Sequence, residues 1–392
     1  MNLHDDADAE RFRTRLRAWL AAAVAAHGPP PGDGDALARR RYDTDWQRKL
    51  FEAGHAGMNW PRAYGGRGAS LEEQLVYYEE TARARAPYIG ANFIGLMHAG
   101  PTLIAEGSEA QKRTFLPPIL AGEHVWCQGF SEPTAGSDLA SLTTRARRDG
   151  DVYRIDGHKI WSTRAHVADY CELLVRTDPE RSRHAGLSWL ILEMDQPGVV
   201  VRPIATLEGE SHFCEIFLEG ARVPVAARVG AENDGWRVAN VTLRFERGTA
   251  FAHHILAMRG QVESLVRLAR DDGRWQRDVG VRRALGRLSC EVEALWRLTQ
   301  MGVSEAGRSG LPPVGGSAVK LRYSELYQRI AACGMEALGR AALAREDVAG
   351  RPARELLHDY LWALQFTVSG GTSQIQRNII GERVLGLPRE AR

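Results

Sequence analysis

Apolar residues recur at helical spacing in the first and last thirds of the chain, whereas the middle third holds short runs of strand-type residues. Residues 7–27 carry an apolar side chain at every fourth position, which predicts an amphipathic helix that ends at Gly28-Pro29-Pro30. The positions are Phe12, Leu16, Leu20 and Val24. Similar patterns predict further helices at residues 36–53, 71–85, 89–104 and 109–120.

Between residues 124 and 230 the pattern changes to strand-type runs broken by turns. We predict strands at residues 142–148, 153–155, 171–176, 187–194, 199–204 and 213–218. Three residue pairs predict turns or hairpins between these strands, namely Asp149-Gly150, Asp156-Gly157 and Pro197-Gly198. The pattern indicates an antiparallel β-barrel or sandwich placed between helical parts.

Helical spacing returns after residue 235, with predicted helices at 236–270, 279–307, 317–349, 352–366 and 373–384. In the second of these helices, the residues that follow helical spacing indicate a long helix of a bundle. They are Leu285, Leu288, Val292, Leu295 and Thr299. The fold class predicted is a multidomain α+β chain whose last part is a four-helix-type bundle. We place an N-terminal helical domain at residues 1–123, a β-domain at 124–230 and the bundle at 231–392.

Composition narrows the functional classes. A chain of 392 residues with 44% hydrophobic residues is large enough to bury a cofactor, and its formal net charge of +2 gives no field that would favour nucleic acid or an anionic membrane. The acidic N-terminus and the lack of a long apolar run lead us to expect a cytoplasmic protein. Five cysteines without Cys-x-x-Cys spacing are expected to be reduced core thiols: Cys127, Cys171, Cys214, Cys290 and Cys333.

The segment Trp126 to Asp138, WCQGFSEPTAGSD, combines small turn-forming residues with hydroxyls. Such a loop exposes backbone N–H groups to a phosphate or to the polar edge of a ring. Downstream, Trp161 and Thr163 place an aromatic ring beside a hydroxyl on a predicted strand, which suits a planar cofactor. The alternative interpretation is a Gly-Pro loop that enters a β-domain with a core tryptophan.

The order of these parts and five motifs resemble the acyl-CoA dehydrogenase family of flavoproteins over essentially the whole chain. The motifs are Trp60-Pro61 with Tyr64-Gly65-Gly66, the SEPTAGSD loop, residues 157–163 (GHKIWST), Phe245-Glu246-Arg247 and residues 371–378 (GTSQIQRN). The resemblance implies an oxidoreductase of lipid metabolism that uses FAD. It also implies an acyl-CoA thioester as substrate and an electron-transfer acceptor as partner.

The resemblance also implies roles for residues that match the family's motifs. The implied FAD-binding residues are Gln128, Phe130, Ser131, Gly136, Ser137, Trp161, Ser162, Thr163, Thr372 and Gln374. Those implied to bind the CoA thioester are Ser137, Arg247, Gly370 and Gly371, where the Gly370 N–H is available to the thioester oxygen.

The implied reaction removes a proton from the carbon α to the thioester while hydride from the β carbon passes to flavin N5. It needs a positioned carboxylate. Many family members keep this glutamate just before the Gly-Thr of the tail, where this chain has Gly370. A branch of the family places its base on the bundle helix before the CoA-contacting arginine, which points to Glu246 as the catalytic base. The alternative is a surface glutamate beside Arg247.

Residues 269–277 lack the Arg-x-x-Phe turn by which many relatives reach a neighbouring subunit's FAD. This departure resembles branches that act on bulky acyl-CoAs, including ring systems, so we expect a homodimer, a homotetramer or a heterotetramer with a sibling subunit. Two rival functions stay open, a flavin oxidase or monooxygenase on the same fold and a non-catalytic partner subunit. The histidines lack paired metal-ligand spacing, so we expect no metal and no catalytic role for His253 or His254.

Overall fold

The computed structural model describes residues 7–32, 34–245, 251–309, 315–344, 346–347 and 352–389. The chain divides into two compact units. The sheet unit comprises residues 18–70 and 85–246, and the bundle unit comprises residues 1–17, 71–84 and 247–392. In the part of the chain that is described, no helix is both long and apolar enough to cross a membrane.

Most helices lie near their predicted bounds. The single helix predicted at residues 236–270 is described as two helices, Gly235–Phe245 and Ala252–Asp271, and residues 246–250 between them lie outside the described residues. The helices are α1 (Ala7–His27), α2 (Ala36–Glu52), α3 (Leu71–Arg83), α4 (Gly100–Glu106), α5 (Glu109–Ala121), α6 (Gly235–Phe245), α7 (Ala252–Asp271), α8 (Arg274–Arg277), α9 (Val279–Ser309), α10 (Gly316–Leu338), α11 (Ala353–Ala363) and α12 (Ser373–Ile379). The start of α5 shows why such ends are predictable, because Ser108 and Gln111 form a reciprocal capping box there.

One predicted helix, residues 89–104, is wrong as a continuous element. The structure has a 3₁₀ turn at Gly90–Asn92, a π-helical segment at Gly95–Ala99 and only then α4. The buried Trp60 indole donates to Leu96 O at 3.0 Å and lies so close to Gly100 that a Cβ there would be 2.0 Å from the ring. This packing was not visible in the local pattern.

The sheet unit is built around an eight-stranded sheet. Its strands are β1 (Trp126–Gly129), β2 (Arg145–Asp149), β3 (Val152–Thr163), β4 (Tyr170–Arg176), β5 (Leu187–Glu193), β6 (Val199–Ile204), β7 (Phe213–Pro224) and β8 (Arg228–Val229). Their order is β6-β7-β3-β2-β4-β5-β8, and β1 pairs with β4. The β1–β4 and β2–β4 pairings are parallel, so the predicted antiparallel domain is in fact a mixed sheet.

The turn expected at Asp156-Gly157 is also wrong, because β3 runs straight through it with a register shift against β7. Gly157 serves close packing instead of a turn. A Cβ at this position would lie 2.4 Å from the Thr144 hydroxyl, so only glycine lets the segment before β2 approach the strand. The Asp149-Gly150 turn between β2 and β3 is confirmed.

The bundle unit packs α7, α9, α10 and α11 around one core, with α3 against α7 and α9. The predicted apolar row on α9 faces this core, since Leu285, Leu288, Val292 and Leu295 are all buried. Helix α10 ends at Leu338, eleven residues earlier than predicted, because Gly339 leaves helical geometry with a positive φ of 58°.

The cysteines are free thiols, as predicted, but not all of them lie in the core. Cys127, Cys171 and Cys214 are buried in the sheet unit, whereas Cys333 is half-buried and Cys290 is exposed on α9. The expectation of five core thiols is therefore wrong for Cys290, whose position on the outer face of a helix was not given by cysteine spacing. Burial raises the pKa of the Cys127 thiol well above its ordinary value, which suits a packing role.

Candidate active site

A buried ion pair ties the SEPTAGSD loop to strand β3. Lys159 on β3 has no exposed surface, and its Nζ donates to Glu132 Oε1 at 2.9 Å and to the Phe130 carbonyl at 3.0 Å. The Glu132 carboxylate also accepts from the Thr143 N–H (2.7 Å), the Thr143 hydroxyl (2.8 Å) and the Thr144 N–H (2.8 Å). Glu132 therefore braces the loop and is not a candidate base.

The carboxylate of Glu132 is held in its ionised form. Burial by itself raises the pKa of a carboxyl, but the Lys159 ammonium and the hydrogen bonds from residues 143 and 144 outweigh it and lower the pKa of Glu132 to about 2. Burial lowers the pKa of Lys159, and the adjacent carboxylate opposes that change. The two groups thus depend on each other for their charged states.

Trp161 follows directly from this fixed segment, at a bulge where β3 shifts register against β7 between Lys159 and Ser162. Its φ is 63°, a left-handed conformation that is uncommon for a bulky residue, and the side chain is 57% exposed. A strained backbone that turns a large indole toward solvent is a typical feature of binding sites. The prediction that Trp161 and Thr163 lie on a strand is confirmed.

Hydrogen-bond donors with no assigned partner lie on the same two segments. Among the described residues, the N–H groups of Ser131, Gly136 and Ser137 have no hydrogen-bond acceptor. The buried Ser162 hydroxyl has no hydrogen-bond partner either. The Ile160 N–H donates to the Ser131 carbonyl at 3.0 Å, which joins the loop to the strand beside the indole. Donors beside an exposed aromatic face suit a planar ring system with acceptor atoms along its edge, so these residues fit a flavin.

Phe130 and Gln128 are more enclosed than the loop residues. Phe130 is 3% exposed, and Gln128 lies on β1, which the sequence pattern had not identified as a strand. The Gln128 amide donates to Glu172 Oε1 at 2.7 Å and lies 3.2 Å from His98 Nδ1, and both of those partners are buried. Sequence reasoning missed His98 and Glu172, although a glutamate inside the apolar run of β4 was an available signal.

The predicted site residues at positions 370–374 belong to the bundle unit. Thr372 is the N-cap of α12, where its hydroxyl accepts from the Ile375 N–H at 3.1 Å, and Gln374 is exposed in the first turn. Gly370 and Gly371 both have positive φ values, 61° and 86°. The Thr372 hydroxyl is therefore engaged in capping, and its predicted contact with a cofactor stays a prediction.

The two residues assigned to proton abstraction and CoA binding, Glu246 and Arg247, lie outside the described residues. Close after them on α7, burial lowers the pKa of His253 to about 3 and that of His254 to about 4. The His254 ring is stacked on Tyr323, with centroids 5.6 Å apart. Burial therefore favours the neutral form of both histidines, and the expectation that they have no catalytic role stays a prediction.

Family models cover most of the chain. The models described as the N-terminal, middle and C-terminal domains of acyl-CoA dehydrogenase match residues 6–123, 127–221 and 233–385. The chain is also 40% identical to the acyl-CoA dehydrogenase IpdE1 of Mycobacterium tuberculosis, over 98% of this chain and 99% of that protein.

Solved structures match over the same extent. The steroid ACAD Tcur3481-Tcur3483 superimposes with a TM-score of 0.86 and 33% sequence identity, covering 100% of both chains. The ChsE4-ChsE5 complex from Mycobacterium tuberculosis superimposes with a TM-score of 0.82 and 32% identity, again over 100% of both chains.

The buried ion pair predicts an acid-labile sheet unit. Because the folded-state pKa of Glu132 is about 2 and its ordinary value is 4.5, the stability from its ionised form is complete above pH 4.5 and is lost as the pH falls toward 2. We expect the wild-type chain to lose roughly 3 kcal/mol of unfolding free energy over this range through Glu132 alone. Urea unfolding of the flavin-free chain, followed by tryptophan fluorescence, measures the loss.

Glu132→Gln should be less stable at neutral pH by about 3–5 kcal/mol, because Lys159 stays buried without its counterion, and should show a shallower loss in acid. The exposed Asp151→Asn is the control and should keep the wild-type pH profile. An unchanged acid profile in Glu132→Gln would contradict the assignment.

Proposed function

The chain belongs to the acyl-CoA dehydrogenase family, and we propose that its substrate is a CoA thioester with a bulky, ring-containing acyl group. One observation carries this proposal, namely a match over the full chain to a structure described as a steroid ACAD, at 33% identity. The glycine at position 370, where many relatives have their base, agrees with such a branch. We also keep the division at residues 123 and 230 as the proposed domain boundaries.

Membership of this family implies a flavin cofactor, and we propose FAD. A flavin supplies a two-electron acceptor for hydride, which no amino-acid side chain offers. In our proposal Trp161 lies against the ring system with Thr163, and the N–H groups of Ser131, Gly136 and Ser137 donate to its acceptor atoms. Ser162, which is fully buried, supports the strand behind the ring. Gln128 and Phe130 lie behind these residues, which together form what we call the flavin wall. Thr372 and Gln374 are proposed to bind the adenosine-phosphate half of FAD at the start of α12, where helix N–H groups favour an anion.

On the substrate side we propose that Glu246 removes the α proton and that Arg247 binds the CoA part. Position 370 supports this assignment, because a glycine offers a backbone N–H but no carboxylate, so the base must come from another element. Ser137, Gly370 and Gly371 complete the proposed substrate contacts. A dry site raises the basicity of the carboxylate toward the working pH.

We propose that the working enzyme is a heteromer with a sibling subunit. One structural relative that covers the full chain is described as the ChsE4-ChsE5 complex, and another carries the double name Tcur3481-Tcur3483. The absence of an Arg-x-x-Phe turn in residues 269–277 is consistent with a partner that supplies the missing cation to the flavin.

A thioester screen tests the substrate class. The chain, purified alone and with a co-expressed sibling, is mixed anaerobically with CoA thioesters of increasing bulk, and flavin bleaching is followed at about 450 nm. We expect ring-containing thioesters to bleach the flavin at least about tenfold faster than straight-chain ones. Faster bleaching by short straight-chain thioesters would overturn the substrate proposal, and full turnover by the chain alone would overturn the heteromer.

Trp161→Asn separates flavin binding from folding. Asparagine tolerates a positive φ, so the flavin-free variant should unfold at the wild-type temperature or above it. Loss of the indole should weaken FAD binding at least about fivefold, since aromatic contacts contribute about 1 kcal/mol beyond buried area. Fluorescence titration with FAD and thermal melts measure the two effects.

Phe51→Asn is the matched control, because Phe51 is another exposed aromatic of the sheet unit. It should bind FAD like the wild type. Wild-type FAD affinity in Trp161→Asn would remove the indole from the flavin site.

Glu246→Gln keeps the size of the side chain and removes the carboxylate. We expect FAD content and thioester binding to be retained and flavin reduction to slow by about 10²–10⁴-fold, the usual contribution of a general base. Anaerobic stopped-flow absorbance measures this rate. Glu263→Gln, an exposed glutamate on α7, is the control and should reduce its flavin at the wild-type rate; equal rates in both variants would move the base elsewhere.

A further inference from the structure

Two buried polar side chains hold the Gly370-Gly371 turn from behind. Lys320 on α10 is 2% exposed, and its Nζ donates to Gly371 O at 2.7 Å and to Phe366 O at 2.8 Å. Gln376 on α12 is 1% exposed, and its Nε2 donates to Gly370 O at 2.9 Å. The turn is therefore fixed by side chains from two different helices of the bundle unit.

These contacts set the direction of the backbone donors. In a trans peptide the C=O and N–H point in opposite directions. Because Gln376 holds the Gly370 carbonyl, the Gly371 N–H is turned away from the buried amide. Lys320 fixes the next peptide plane, which carries the Thr372 N–H, through the Gly371 carbonyl, so the peptide planes on both sides of Gly371 are held. Neither the Gly370 N–H nor the Gly371 N–H donates a hydrogen bond to any acceptor among the described residues.

Glycine is needed at both positions for this arrangement. The φ values of 61° and 86° lie in the left-handed region, where an L side chain is strained. At Gly371 a Cβ would also lie 2.8 Å from the Gln376 amide nitrogen. Gly370 is exposed, so its N–H is accessible to a bound molecule.

We propose that Gln376 and Lys320 are positioning residues that hold the peptide planes on both sides of Gly371, so that the Gly371 N–H joins the Gly370 N–H as a donor to the thioester oxygen of the substrate. This inference rests on the proposed function and adds to it a second donor, Gly371, and the two side chains that hold its backbone. Negative charge grows on the thioester oxygen as the α proton leaves, and donors fixed in advance stabilise that charge without rearrangement. The buried ammonium of Lys320 adds positive potential at the back of the turn.

The test uses the holoenzyme, with its sibling subunit if the chain requires one, and the variants Lys320→Met and Gln376→Leu. We expect kcat to fall about 10²-fold in Lys320→Met, as it does when an oxyanion donor is lost, and KM for the thioester to change by less than about threefold. Flavin content and the visible flavin spectrum should stay those of the wild type. Lys320→Arg keeps the charge and should recover part of kcat.

Acetoacetyl-CoA provides a readout that does not depend on turnover. Its acidic C2 proton leaves readily, so the fraction bound as enolate, measured by absorbance at fixed pH, reports how well the site stabilises a charged thioester oxygen. We expect a ratio of enolate to keto form about tenfold lower in both variants. Arg322→Met, an exposed arginine on the same helix α10, is the matched control and should leave kcat and the enolate ratio unchanged.

Unchanged kcat and enolate ratio in either variant would overturn the proposal. So would equal losses of flavin content, KM and kcat, because a merely structural role produces that pattern. If Lys320→Met does not fold, Gln376→Leu decides the matter alone. The proposed function fails differently, since it falls if no thioester bleaches the wild-type flavin.

Discussion

The Lys159–Glu132 ion pair is the interaction on which the proposed flavin wall depends. Both charges are removed from water, and a buried charge without its partner costs several kcal/mol. The carboxylate accepts from Lys159 and from residues 143 and 144, so it joins the loop, the segment before β2 and strand β3. Because both charged groups are buried, breaking these bonds would leave them unpaired away from water, and this cost holds the loop against β3.

That rigidity explains the strained conformation of Trp161. The residue follows a strand position whose side chain is committed inward through Lys159, and the register shift against β7 falls directly after it. The bulge turns the indole outward at the cost of a left-handed φ. Strain of this kind, of order 1–3 kcal/mol, persists only where the surroundings fix the backbone. The ion pair of Lys159 does so before Trp161, and the pairing of Ser162 with Cys214 on β7 does so after it.

Local patterns predicted what local physics determines. Helix bounds followed from apolar spacing and caps, and β4, β5 and β6 followed from runs of apolar and β-branched residues. The pattern failed where a distant partner decides the outcome, as at Gly157, which makes room for Thr144, and in the π-helical segment beside Trp60. The composition offered one signal for buried cations that the local pattern did not use. Lysine occurs only at positions 49, 112, 159 and 320 of an arginine-rich chain, and two of these residues, Lys159 and Lys320, are buried. A compact ammonium fits a carbonyl cage that a planar guanidinium does not.

The glycine at position 370 is more than the loss of a carboxylate. A glutamate in the backbone conformation seen here would adopt a φ of 61°, which costs an L residue roughly 1–2 kcal/mol, so the present geometry is one that glycine alone adopts without strain. Without a side chain at position 370 the turn adopts this conformation freely, and Gln376 and Lys320 hold the peptide planes on both sides of Gly371. In our proposal the base and the oxygen donors belong to different elements, so each is positioned independently of the other.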